Sequence, residues 1–156
     1  MISLKKRDQG FTIVELLIVI VVIGILALLV ITTYGGIQAK ARNAKRASDV
    51  KSLQTQIEAF FSQNGYYPSR TDMNSSTWLS TNMKSLDQNA LIDPSNATQS
   101  KTMVTAPAAK SYAYAVTDSS GNSCETDDTT CAKYTLTATY EGTVNGSATA
   151  VAQNLD

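Results

Sequence analysis

Glu15 stands alone in a stretch that is otherwise without charge: no other residue of 11–31 is ionisable, and residues 16–39 contain no lysine or arginine. An ionised carboxylate at the centre of a bilayer costs about 2.5–3.5 kcal/mol, so Glu15 needs a counter-ion or a place among headgroups. The upstream cations Lys5, Lys6 and Arg7 are too distant in sequence for the three- or four-residue spacing at which side chains on one helix face meet. A cut between Gly10 and Phe11 supplies the missing cation, because it leaves a new amino terminus four residues before Glu15. Gly10 lets a peptidase approach the backbone with no side chain in the way. The resulting amine and acid can pair within one chain or between neighbours. The second option fixes an axial register for apolar helices packed side by side. The alternative is a Glu15 that sits near the headgroups and is solvated.

Elsewhere the residues able to do chemistry are few. There is no histidine, which removes the commonest general base and transition-metal ligand, and no nucleophile signature points to an enzyme. Cys124 and Cys131 are the only cysteines and are flanked by turn-forming residues. That spacing suits a hairpin-closing disulfide formed outside the cytoplasm, the alternative being two thiols in a cytosolic domain. Between them Glu125, Asp127 and Asp128 offer three carboxylates to calcium, though without an ordered ligand-loop spacing. The ordinary reading there is a solvated acidic turn with no cofactor. Lys40, Arg42, Lys45, Arg46 and Lys51 invite a nucleic-acid reading, weakened by the lack of interleaved aromatic residues. Contact with anionic lipid, or with the acidic head of a neighbouring subunit, is favoured over it.

The elements that position these residues follow from the pattern. The chain has 156 residues with a formal charge of zero, the size of one domain plus an appendage. Residues 11–31 make a helix about 31 Å long, enough to span a bilayer, and the run is too long for a cleaved secretory signal. Three basic residues before the span and five after it point, by charge alone, the wrong way for a secreted head, and the cysteines argue against that orientation. The head is coated with hydroxyls, serine and threonine numbering 35 in the chain. After Gly36, the positions Ile37, Ala41, Ala44, Ala47, Val50, Leu53, Ile57 and Phe60 predict one helical face. The helix is expected to run to Asn64, with Gly65 as its stop and Pro68 beyond. A second helix is expected over 77–86, capped by Ser76 and with Trp78, Leu79, Met83 and Leu86 on its apolar side; Asp93-Pro94 marks a turn. From Lys110 the period changes to two. Tyr112, Tyr114 and Val116 predict one strand, Tyr134, Leu136, Ala138 and Tyr140 a second, and residues 147–152 a third, reached through the Asn145-Gly146 turn. The fold class is α+β: a long N-terminal helix, membrane-spanning in its first half, packed on an antiparallel sheet of about three strands.

The run Lys5-Lys6-Arg7-Asp8-Gln9-Gly10-Phe11-Thr12-Ile13-Val14-Glu15-Leu16-Leu17-Ile18-Val19-Ile20 resembles the processing site of type IV pilins and of the related pseudopilins of type II secretion. The likeness is strong over residues 5–31 and continues more weakly through residues 34–42. Tyr66-Tyr67-Pro68 resembles the segment that follows the long helix in both classes. The resemblance implies a pilin-like fold, a prepilin peptidase that cleaves after Gly10 and methylates the Phe11 amine, and Glu15 as the assembly glutamate. It implies residues 1–10 as leader, 11–36 as the transmembrane and assembly half of the helix, 37–64 as its amphipathic half and 65–156 as the globular head. Many family members carry a proline in the second half of the apolar helix; here Thr32 and Thr33 occupy that neighbourhood, so any softening falls to Gly24 or to Gly35 and Gly36. The implied function is a structural subunit of a type IV pilus, with the assembly machinery and further copies of itself as partners. It starts as a precursor in the cytoplasmic membrane, surrounded by lipid with its head outside, and ends in an extracellular filament. The alternatives are a pseudopilin of a secretion or DNA-uptake machine and a membrane-anchored binding domain that keeps its leader.

Overall fold

The computed structural model describes residues 10–126 and 129–155; most of the leader, and Asp127 and Asp128, lie outside them. The elements are α1 (Ile13–Asn64), α2 (Arg70–Met73), α3 (Ser76–Asn82), a 3₁₀ turn (Gln88–Leu91), β1 (Tyr112–Asp118), β2 (Cys131–Val144) and β3 (Ser147–Gln153). The chain divides after Gln38 into two compact units.

The first unit holds the apolar part of α1. By length and composition this stretch can cross a membrane. The large apolar side chains from Phe11 to Ile37 are between 48% and 85% exposed, so the helix exists without burying them. The backbone stays helical through Gly24, Gly35 and Gly36. Thr33 turns its hydroxyl back to the carbonyls of Leu29 (3.0 Å) and Val30 (3.1 Å), which hides its polar group inside the helix.

The second unit is the head with the C-terminal part of α1 as its spine. The buried stripe of α1 is Asn43, Arg46, Asp49, Val50, Leu53, Ile57 and Phe60. Ile37, Ala41, Ala44 and Ala47 are exposed, which corrects the first half of the expected face; the spacing is helical, but three polar residues take the buried positions. The helix ends where expected. Gly65 sits at φ 79° and donates its N–H to the Phe61 carbonyl at 2.8 Å, a left-handed C′ position that glycine adopts without strain.

The sheet order is β1-β2-β3, antiparallel throughout. Register pairs Tyr114 with Leu136, Val116 with Tyr134, and Thr137 with Val151. Tyr112, Tyr114, Val116, Tyr134, Leu136 and Ala138 face the core with Val50, Leu53, Ile57 and Phe60, whereas Tyr140 is only half-buried. Buried phenols find acceptors on the spine: Tyr112 donates to Asp49 at 2.8 Å, and Tyr134 and Tyr67 donate to Glu58 at 2.9 and 3.1 Å. Asn145 (φ 51°) and Gly146 (φ 82°) form the two-residue turn with both central residues left-handed.

The second helix is shorter than its apolar pattern implied. Ser75, not Ser76, caps α3 by accepting from the Trp78 N–H, and Met83 and Leu86 are buried beyond its end.

Candidate assembly site

Gly10, Phe11 and Thr12 precede the first turn of α1. Phe11 is 84% exposed, and a side chain at position 10 would meet nothing within 4 Å, so no described residue crowds either side-chain position at the Gly10–Phe11 bond. Glu15 lies in the first turn and does have a partner. Its Oε2 accepts from the Thr12 N–H at 2.8 Å and the Thr12 hydroxyl at 2.7 Å, while its own N–H donates to Thr12 Oγ1 at 3.2 Å. This is a reciprocal capping box, which satisfies backbone donors that the helix start leaves open. The cap is a hydrogen-bond partner and not the counter-ion that a charge in lipid asks for. The signal was present in the Thr-x-x-Glu spacing and was passed over because the acid was weighed only as a charge in lipid.

The basic run after the span is likewise engaged within its own chain. Arg46 is 1% exposed, and its guanidinium makes five hydrogen bonds: two to Asp93 (2.7 and 2.9 Å) and one each to Asn43 (2.8 Å), Ser95 (2.9 Å) and Glu141 (3.0 Å). Arg42 pairs with Glu141, and Lys45 with Asp49. Asn43 closes the group through the backbone of Glu141, donating to its carbonyl at 3.1 Å and accepting from its N–H at 2.9 Å. Three of the five cations once assigned to lipid, nucleic acid or a neighbouring head thus serve the subunit itself. Sequence reading took Asp93 for a turn residue and gave Glu141 no role; a fork-shaped guanidinium satisfied by two distant carboxylates leaves no local spacing to find.

Arg42, Ser95 and Arg46, in hydrogen-bond contact, hold the Glu141 carboxyl down at about 2. A carboxyl lowered by folding stabilises fully above its unfolded range near pH 4.3 and loses that contribution as pH falls toward its folded value. Head stability is expected to drop between about pH 4.5 and 2, and Glu141→Gln to flatten that part of the profile; acid titration followed by near-ultraviolet circular dichroism checks it.

Cys124 and Cys131 are both buried, the first midway along the connection between β1 and β2 and the second opening β2. The segment before α2 bridges them, Tyr67 N–H donating to the Cys131 carbonyl (2.9 Å) and Arg70 N–H to that of Cys124 (3.4 Å). Glu125, one of the three carboxylates considered for calcium, is engaged by Arg70 and by Ser123 Oγ at 2.7 Å. Asp127 and Asp128 are outside the described residues.

Comparison with known proteins places the likeness at the stem. Residues 5–31 match the prokaryotic N-terminal methylation motif. The chain is similar to the type II secretion system core protein G of Dickeya chrysanthemi, 37% identical over 65 residues covering 42% of each chain. The corresponding protein of Aeromonas hydrophila is 39% identical over 64 residues, 41% of this chain and 45% of that one. The type IV major pilin protein PilA of Myxococcus xanthus is 38% identical over 63 residues, 40% of this chain and 29% of that one. The matches thus span less than half the length of these relatives. No solved structure matches. A glutamate in the first helical turn and an apolar helix meet in one chain with a three-stranded head: residues 5–31 carry the prokaryotic N-terminal methylation motif, and the whole has an α+β fold like that expected of a pilin.

Proposed function

We propose that the chain is a filament subunit, made as a membrane precursor, cut after Gly10 by a prepilin peptidase, methylated at the Phe11 amine and polymerised through its apolar helix in a type IV pilus. The observation that carries this reading is Glu15 at the head of an apolar surface that its own chain leaves uncovered. Among the described residues Oε2 is held by Thr12 and Oε1 accepts nothing, so one oxygen remains for the Phe11 amine of a neighbouring copy. Intact-mass measurement of the membrane-extracted protein tests it. The expected mass lacks residues 1–10 and carries one added methyl group; an uncut chain overturns the reading.

The shorter pseudopilus of a secretion machine is the second reading, favoured by the relatives named as core protein G. Long surface fibres in electron micrographs support the pilus; their absence from assembling cells supports the pseudopilus.

For the head, Cys124 and Cys131 are proposed to be joined, a pairing supported by the burial of both and by the short segment between them. Closing so short a loop contributes about 2.5 kcal/mol by the chain-entropy relation. Cys124→Ser with Cys131→Ser is expected to lower the unfolding free energy by that amount, and alkylation of the denatured, unreduced protein to leave both wild-type cysteines unlabelled.

A further inference from the structure

The sequence holds two Asn-Gly pairs, at 64–65 and 145–146, and the fold treats them oppositely. Asn64 is in the last turn of α1, its carboxamide donating to the Phe60 carbonyl at 2.9 Å. The Gly65 nitrogen, the atom that would attack the Asn64 side chain, donates to Phe61 at 2.8 Å. Asn145 is exposed at a hairpin tip. Among the described residues neither its carboxamide nor the Gly146 N–H makes a hydrogen bond. The tip is also detached from the regular ladder. Pairing of β2 with β3 is interrupted between Thr139 and Val144 and resumes only at the closing pair Val144–Ser147, with Gly142 at φ 77° in the gap. A tip joined by a single pair opens more readily than the body of a helix or sheet.

From this contrast we propose that Asn145 is a self-modifying site, converting to aspartate and isoaspartate in the folded protein while Asn64 is protected. The Gly146 backbone nitrogen, giving up its proton to solvent, attacks Cγ of Asn145. The new N–Cγ bond closes a cyclic imide, the bond from Cγ to the side-chain nitrogen breaks, and that nitrogen takes up one proton and leaves as ammonia. Water then adds to one of the two imide carbonyls and opens the ring, giving aspartate or isoaspartate; nothing is oxidised or reduced. Glycine at 146 permits the attack because no Cβ obstructs the approach.

The product has a structural consequence. Asn145 shares a surface groove with Ala44, Ala47, Tyr140, Val144 and Lys40, the last being the one charged side chain in its lining. The new carboxylate adds an anion to a groove that had only a cation. The isoaspartate form also lengthens the main chain inside a turn that has room for two residues.

The test follows the full-length, membrane-extracted protein in mildly alkaline buffer by isoelectric focusing and peptide mapping. The expected result is an acidic variant whose aspartate and isoaspartate map to position 145, with position 64 converting roughly tenfold more slowly or less. In urea-unfolded protein the two sites should approach equal rates. Asn145→Gln should abolish the acidic variant, and Asn145→Asp should focus with it from the start. Conversion at 64 as fast as at 145 in the folded protein, or an unchanged Asn145 under conditions that convert it when unfolded, overturns the proposal.

Discussion

Replacing Glu15 with glutamine is expected to abolish filaments while leaving the head folded and α1 capped. The amide keeps one oxygen able to accept from the Thr12 N–H and hydroxyl, as glutamine does at this position of a capping box, so the helix start survives. What disappears is the charge that a neighbour's Phe11 amine would meet. Removing one partner of a buried ion pair leaves the other uncompensated and costs about 3–5 kcal/mol, a hundredfold or more in association at each contact. A polymer repeats that loss at every subunit. Thr12→Ala makes the converse test. It removes the hydroxyl of the cap, worth about 1 kcal/mol, and keeps the acid, so filaments should form with at most modest thinning. Electron microscopy of both variants, with processed mass and head circular dichroism as controls, separates the two roles. Normal filaments from Glu15→Gln would mean that capping was the only job of this residue.

The largest stability effect is expected at Arg46. Arg46→Ala strands Asp93, which is 1% exposed, and withdraws donors from Asn43, Ser95 and Glu141 at once. A buried carboxylate left without its cation costs about 3–5 kcal/mol, a large part of the 5–15 kcal/mol typical of a domain, and lowers Tm by roughly 15 °C or more. Arg42 supplies the contrast. Its pair with Glu141 is about one-third exposed on both sides, so Arg42→Ala should cost at most about 1 kcal/mol. The double variant Arg46→Met with Asp93→Asn removes both charges together and should recover part of the loss. Arg46→Lys should not, because an ammonium cannot reproduce the planar fork. Thermal unfolding across this set decides it; equal losses for Arg42→Ala and Arg46→Ala would refute the assignment.

Legibility in the sequence followed the range of the forces involved. The helix end at Asn64, the three strands and the Asn145-Gly146 turn are set by local rules of period and dihedral, and each was readable from a few adjacent residues. The buried face of α1 between residues 37 and 49 was not. Alanines at helical spacing imitate a core stripe, yet Ala41, Ala44 and Ala47 face solvent while Asn43, Arg46 and Asp49 go inside. The reason is a pair of carboxylates arriving from residues 93 and 141, far along the chain. The start of α3 moved by one residue because two adjacent serines, Ser75 and Ser76, compete for one cap. At the candidate assembly site, Gly10, Phe11 and Glu15 carry chemistry that is still a proposal, whereas the bond between Thr12 and Glu15 follows from the Thr-x-x-Glu spacing of a capping box, which a reading by charge does not show.

Every buried residue of the head's core comes from Val50 onward, and the polar stripe beside it begins only at Asn43. Among the described residues, none before Asn43 belongs to the buried core or to the polar stripe beside it. On the function proposed above, a stem that adds nothing to the head's core would pass from fatty acyl chains to sister helices while the head stays folded.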